Sequence, residues 1–385
     1  MSVADKPIAL YVHWPWCVRK CPYCDFNSHA IGAGVDEAGY IQALLQDVDA
    51  AVELAGRRPV SSVFFGGGTP SLMSVQGFET LMTGLRKRLL FAEDAEITLE
   101  ANPGTHEAAR FAGYVANGVN RFSIGVQSFD DERLKALGRI HNRRQALEAV
   151  ETALTLADNL NLDVMYALPG QSLEGAAQDA LTAVKSGATH LSFYELTIEE
   201  GTAFYKREPA GLPDGDTAAE MGEIVGTTLA EAGFEHYEVS GYAKPGRRCR
   251  HNLNYWTFGD YIGVGAGAHG KITTQGGILR TERRANPLLY MDDAVNGRFA
   301  SQLSFVLAES LPFEFMLNVL RLYDGVPVTL WEATTGLPYE VIGKKVEALR
   351  SEGLLANDQR RLVCTELGRN WLSTVQERFL PDNEI

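Results

Sequence analysis

Three of the chain's five cysteines fall within eight residues, in the run YVHWPWCVRKCPYCDF from Tyr11 to Phe26. Cys17, Cys21 and Cys24 are spaced C-x3-C-x2-C. Three thiols cannot all pair with one another, and a stable disulfide is not expected in a reducing compartment. Thiolates crowded on one short loop are best stabilised by a metal. A structural zinc takes four ligands, usually as two separated pairs. Here three sit together with no obvious fourth, so a metal centre on this loop keeps one position open to a ligand or substrate. Cys249 and Cys364 are far apart in sequence and read as ordinary thiols.

Further residues of chemical interest recur at intervals, and the elements that must position them are strands alternating with helices. Ile8 to Trp14, Val60 to Phe65, Glu96 to Glu100, Arg121 to Gln127, Asn161 to Ala167 and His190 to Leu196 are six apolar runs of strand length. Between them lie segments of helical period, such as Tyr40, Ile41, Leu44, Leu45, Val48 and Val52. The others are a helix around Phe78 to Leu89, one from about Thr105 to Ala116, one from Asp131 to about Ala157 interrupted at Gly138 to His141, and one after Ser172. Such alternation implies parallel βαβ units. Six in succession curl into a partial (β/α)6 barrel, whose chemistry sits at the C-terminal ends of the strands. The cysteine loop, Gly66 to Pro70, Glu100, Gln127, Asp163, Tyr194 and Glu195 all fall at or near those ends.

Each of these residues also has a purely structural reading. A glycine triplet after a strand serves as a turn, or lets the backbone approach a ligand and offer its amides. Glu100 is either a salt-bridged strand end or a carboxylate for a cationic ligand. Gln127 and Asp163 are either satisfied core residues or ligand contacts. Arg139 is a solvated charge or a bidentate partner for a carboxylate.

At 385 residues the chain can bury a substantial core in one large and one smaller domain. Its net charge of −14 argues against nucleic acid or an anionic membrane as main partner. Lys244 to Arg250 (KPGRRCR) is a local basic exception. Asp5, Lys6 and Pro7 stand where a signal peptide would be apolar, and no apolar run is long enough to span a membrane. A cytoplasmic location is expected.

From Gly201 the alternation weakens. Lys206 to Asp216 reads as a surface loop, Thr217 to Ala232 as a helix and Glu235 to Ser240 as a strand. The stretch RRCRHNLNYWTFGDYIGVGAGAHG follows, from Arg247 to Gly270. HNLNYW, His251 to Trp256, is either a loop pinned by aromatics or an imidazole set beside flat surfaces that suit a tetrapyrrole. Gly263, Gly265 and Gly267 read as a second glycine-rich turn, followed by His269. Pro287 to Arg298 is a helical linker. Beyond it come a helical face from Phe313, a helix from Tyr339 to Ser351, a hairpin of 353–355 with 361–363, and a helix from Leu367 to Phe379. That order is winged-helix-like, for which a lid or docking role fits an acidic chain better than DNA binding. The expected division is a barrel over 1–200, an α/β extension over 201–300 and the C-terminal domain over 301–385.

Taken together, YVHWPWC with CPYCDF, GGGTPS, LEANPG, RFSIGVQSF, LGRIH, DVMYALPGQ, YELTIEEGT and HNLNYW resemble the oxygen-independent coproporphyrinogen III oxidase family of radical SAM proteins, over nearly the whole chain. The likeness is to its haem-chaperone branch. The oxidases carry a further cysteine two positions past the third, where Phe26 stands here, and a longer N-terminal extension; the chaperones carry HNxxYW. The resemblance implies a [4Fe–4S] cluster on Cys17, Cys21 and Cys24. It implies S-adenosylmethionine held at Tyr11, Tyr23, Gly67, Gly68, Thr69, Glu100, Gln127, Arg139 and Asp163. Near Glu195 and His269 the sequence departs from the oxidase pattern. His251 becomes the haem-binding candidate, with His13, His29 and His269 as alternatives. The function implied is a chaperone that binds haem and hands it to acceptor haemoproteins. The alternative is a radical oxidoreductase that decarboxylates a porphyrinogen, reduced by a flavodoxin- or ferredoxin-type partner.

Overall fold

The structure is a computed structural model and describes residues 6–32, 34–104, 109–299 and 302–381. Its centre is a parallel sheet of β1 (Ile8–Trp14), β2 (Pro59–Gly67), β3 (Leu90–Ala101), β4 (Arg121–Gln127), β5 (Leu160–Tyr166) and β6 (His190–Glu195), in that order. The connections carry α1 (Glu37–Ala55), α2 (Val75–Arg88), α3 (Phe111–Ala116), α4 (Asp131–Ala136), α5 (Arg143–Leu156) and α6 (Leu173–Lys185). Helix starts follow from local chemistry. Asp36 caps α1, Ser74 caps α2, and Asn142 with Gln145 forms a capping box on α5. Of the helix predicted from Thr105, the described part is Phe111–Ala116; residues 105–108 lie outside the described residues.

Strand alternation sorts the side chains onto two faces. On β4, Phe122, Ile124 and Val126 join the apolar layer beneath the helices, with Leu10, Phe65, Leu99, Leu162, Leu44 and Leu81. Their neighbours Arg121, Ser123 and Gly125 turn the other way. That second face is polar: Ser62, Thr98, Asn161 and Ser192 are all buried on it. A polar interior enclosed by protein requires either internal partners or a ligand.

The sheet runs further than the sequence reading anticipated. Beyond β6 lie β7 (Glu235–Glu238) and β8 (Gly241–Ala243), with β8 antiparallel to β6. On the opposite edge β9 (Tyr261–Val264) pairs parallel with β1. β10 (His269–Thr274), β11 (Gly277–Glu282) and β12 (Gln302–Phe305) follow as an antiparallel meander. The full order is β12-β11-β10-β9-β1-β2-β3-β4-β5-β6-β8-β7. Gly263 is therefore a strand residue, and the turn is confined to 265–268.

Between these parts run α7 (Gly215–Glu231), α8 (Arg250–Trp256), α9 (Pro287–Val295) and α10 (Leu311–Val319). HNLNYW is thus helical, contrary to the loop reading. At the C-terminal end Arg361–Leu362 pairs with Val326–Pro327, while the expected hairpin amounts to a single bridge between Leu355 and Cys364. The last helix breaks at Trp371 into Glu366–Asn370 and Leu372–Glu377. Phe315, Trp331, Val346 and Phe379 share one apolar core with Tyr237, Phe258 and Ile278.

Candidate functional site

The cysteine loop leaves β1 and is tied at once to the glycine turn after β2. The Gly68 amide donates to the Trp14 carbonyl at 2.7 Å, and the Thr69 amide to that of Trp16 at 2.8 Å. A Cβ on Gly68 would lie 2.5 Å from the Trp16 carbonyl oxygen, so only glycine permits this approach. Gly67 has φ +118°, and a Cβ there would meet the His13 ring at 2.6 Å. The glycines thus seat the cysteine loop, a role distinct from the ligand contact expected of them.

All three thiols of the loop are free and face one cavity of about 340 Å³. Cys17 Sγ reaches the His29 carbonyl at 3.7 Å, Cys24 Sγ meets Ser28 Oγ at 3.6 Å, and Arg139 Nη1 donates to Cys21 Sγ at 3.5 Å. Burial, then the neighbouring Cys24 and Cys21, push the Cys17 thiol above its ordinary value. Mutual repulsion of this kind is relieved by a bound cation. Among the described residues no three His, Cys, Asp or Glu side chains converge on one metal ion. The three thiols share the lining of one space, and thiolates are the ligands an iron–sulfur cluster takes.

The remaining wall of this cavity contains Tyr23, Gly67, Gly68, Thr69, Glu100, Gln127, Arg139 and Asp163. Glu100 is held by the Gly67 amide, which donates to Oε2 at 3.1 Å. Burial, followed by repulsion from Asp163, lifts its pKa from 4.5 to about 8. Asp163 accepts from Ser123 Oγ and from Asn161 Nδ2, both at 2.9 Å, and burial raises its pKa too. Two enclosed carboxyl groups with raised pKa values suit a cationic ligand, which stabilises their ionised forms. Arg139 donates to Asn102 Oδ1 at 2.5 Å and to the Gly125 carbonyl at 2.7 Å, while its buried Nε has no protein partner. A carboxylate would satisfy that nitrogen. Gln127 ends β4 at φ +68°, a left-handed conformation costing about 1–3 kcal/mol that is found mainly at functional sites.

Tyr11 and His251 are the two predicted residues that do not line this cavity. Tyr11 hydrogen-bonds His13 Nδ1 at 2.9 Å and faces a second cavity of about 520 Å³. His251 is buried on α8, against the polar face of the sheet. Its Nδ1 shares a hydrogen bond with Ser62 Oγ at 3.0 Å, and its Nε2 one with Tyr255 Oη at 2.8 Å. Burial and then Arg121 lower its pKa to about 3, so the ring is neutral. Both nitrogens being engaged, it would have to surrender one to bind iron.

The second cavity is walled by Tyr255 and Trp256 from the end of α8, by His269, Lys271 and Arg280, and by Leu317 and Asn318 of α10. Phe26, Gly67 and Glu100 line both cavities. Sequence reading missed Asn102 and Ser123, although Ser123 shares the strand alternation of Gly125 and Gln127. It also missed Arg280 and Asn318, which carry no local signal because three separate segments bring them together.

Comparison with known proteins agrees with this architecture. Residues 11–181 match the Radical SAM superfamily and 306–371 the HemN C-terminal domain. A solved structure of coproporphyrinogen III oxidase (HemN) from Escherichia coli, described as a radical SAM enzyme, superposes with a TM-score of 0.83. It covers 99% of this chain and 91% of its own at 22% identity, a likeness of fold. Fold, cysteine loop and C-terminal module define a radical SAM protein of HemN-like architecture. "Heme chaperone HemW" of Escherichia coli is 48% identical over 98% of this chain and 99% of its own length. A mouse protein, "Radical S-adenosyl methionine domain-containing protein 1, mitochondrial", is 37% identical over 98% and 88%. The chain belongs to the HemW heme chaperone family. Among the described residues no helix is long and apolar enough to cross a membrane.

Proposed function

We propose that this protein is a cytoplasmic haem chaperone that binds a [4Fe–4S] cluster, S-adenosylmethionine and haem, and transfers haem to acceptor haemoproteins. The observation that carries the reading is the adjacency of the two cavities, one lined by thiols and carboxyls, the other by aromatics and two imidazoles, with Gly67 and Glu100 common to both. Cys17, Cys21 and Cys24 hold the cluster, which when bound supplies one-electron chemistry to its ligand. Glu100 and Asp163 receive the cationic part of S-adenosylmethionine, and Arg139 with its unpaired Nε receives the carboxylate. Tyr23, Gly67, Gly68, Thr69 and Gln127 complete the wall, and Tyr11 supports it through His13. Residues 1–200 serve as the cofactor-binding barrel, 201–300 contribute the haem-side wall, and 301–385 close that side as a lid or docking module. A flavodoxin- or ferredoxin-type protein is the reductant.

The test is a haem titration of the full-length, anaerobically reconstituted protein, followed in the Soret region, with an apo-haemoprotein then offered as acceptor. Saturable single-site binding followed by transfer is expected. Cys17→Ala, Cys21→Ala and Cys24→Ala should each lose the visible cluster absorbance seen without haem, roughly in full because a cubane loses its anchor. Non-saturating haem binding, together with decarboxylated product from coproporphyrinogen III, would replace the chaperone with the radical oxidoreductase.

A further inference from the structure

We propose that His269, rather than the imidazole of the HNLNYW motif, supplies the axial nitrogen to an iron tetrapyrrole seated in the larger cavity. The motif itself builds one wall of that site. This assignment rests on the haem-binding reading above and identifies the residue that performs it.

The imidazoles near the cavity differ in what they have free. His13 lines it, but Tyr11 Oη occupies Nδ1 at 2.9 Å and the Asn27 carbonyl occupies Nε2 at 2.8 Å. His29 Nε2 is engaged by Asn27 Oδ1 at 3.2 Å, and the ring is not part of the lining. His251 is enclosed, with Ser62 and Tyr255 on its two nitrogens, and is not part of the lining either. His269 lines the cavity, is exposed, and among the described residues has no hydrogen bond, ion pair or ring contact on its side chain. An imidazole with an open nitrogen is a haem ligand. Of the two that line the cavity, His269 can act as one without breaking an existing bond.

The backbone around His269 is built to hold it at the rim. It opens β10, directly after the turn that joins β9 to β10. A Cβ on Gly263 would lie 1.8 Å from the His269 carbonyl oxygen, so the strand pair closes only with glycine there. That contact sets the start of β10 against β9, whose parallel partner is β1.

The rest of the lining fits the remainder of a tetrapyrrole. Tyr255 and Trp256 present aromatic surface, and Phe258 and Leu317 add apolar surface. The buried Nε1 of Trp256 has no acceptor, and an unpaired buried donor is costly unless a ligand satisfies it. A propionate carboxylate would do so. Arg280 lies on the same wall, with Glu314 at 2.5 Å and Tyr261 Oη at 3.0 Å as present partners.

The role of His251 follows from α8. Cys249 offers this helix no side-chain cap, and Glu96 of β3 takes that place by accepting the Arg250 and His251 amides on Oε1 at 3.0 and 3.2 Å. The His251 ring then bridges β2, through Ser62, to Tyr255 one turn on. It is a positioning residue that sets the angle at which Tyr255 and Trp256 meet the cavity. An axial ligand at an exposed rim can be exchanged for that of an acceptor, whereas an enclosed one cannot be reached.

The experiment is a titration of the full-length protein with ferric haem, read by the Soret and visible spectrum and by electron paramagnetic resonance. His269→Ala, His269→Cys and His251→Ala are compared with the parent, with thermal melts to fix the folded fraction. His269→Ala should weaken haem binding by roughly tenfold or more, since even outer partners of a metal ligand act on that scale. It should also lose the imidazole-type spectrum, which added imidazole restores. His269→Cys should shift the spectrum to a thiolate type. His251→Ala should melt earlier yet keep the imidazole-type spectrum in its folded fraction. If His269→Ala binds haem with the parent's affinity and spectrum, the assignment is wrong and the haem-binding reading stands. If the parent itself shows no saturable binding, the haem-binding reading fails and takes the assignment with it.

Discussion

Glu100 combines a half-buried carboxyl, facing both cavities, with a single amide donor and a carboxyl neighbour, and this makes it sensitive to pH. Its pKa of about 8 lies above the 4.5 of an exposed glutamate, so between those values the folded chain holds a proton that the unfolded chain has released. The unliganded protein is therefore favoured by Glu100 below pH 4.5 and loses that contribution as pH rises through about 8. A cationic ligand reverses the preference, because it binds the ionised form. S-adenosylmethionine affinity measured by calorimetry should rise from pH 6 to pH 8 with release of a proton. Glu100→Gln should bind more weakly and flatten the profile; an unchanged profile would remove Glu100 from the ligand's surroundings. The glutamate was legible in sequence because it ends a strand in LEANPG. Asp163 was legible as a carboxylate inside an otherwise apolar strand, DVMYALPGQ. What sequence could not give was their repulsion, which depends on β3 and β5 facing one interior across β4.

At the scale of elements, the glycine turn after β2 and the helix α8 repay comparison. The turn was recognised from its GGGTP signature, but its main contact is with the cysteine loop, a relation between segments some fifty residues apart. Gly68→Ala places a methyl against the Trp16 carbonyl and should destabilise the protein by about 1–3 kcal/mol. The same variant should incorporate less iron on reconstitution, while a change at an exposed loop glycine such as Gly246 should not. Equal iron content in both variants would separate the turn from the cysteine loop. α8 was read as a loop for a physical reason: Cys249 is not a capping residue, and its two asparagines favour turns. The helix exists because Glu96, over 150 residues earlier, accepts its first amides. The strands β9 to β12 were missed because a glycine interrupts β9 and β10 and all four are short. The six barrel strands were found because their apolar faces lie under helices with a matching period.

Over the whole molecule, a sheet of twelve strands carries its chemistry on one concave, polar face, and the C-terminal module closes the far side through a core shared with Tyr237, Phe258 and Ile278. One consequence lies in the wall that Phe26, Gly67 and Glu100 form between the two cavities. A shared lining leaves neither chamber independent: whatever reorients Glu100 on one side alters the lining of the other. Occupants of the two chambers are then linked, and each must change the other's affinity by the same factor, commonly about 5- to 150-fold in coupled sites. Dissociation constants for haem with and without S-adenosylmethionine should differ, and Glu100→Gln should shrink the difference. Identical constants would mean that the wall transmits nothing. If it does transmit, the protein has a built-in conditional: the state of the small chamber decides how firmly the large one holds its cargo, and so when that cargo can leave.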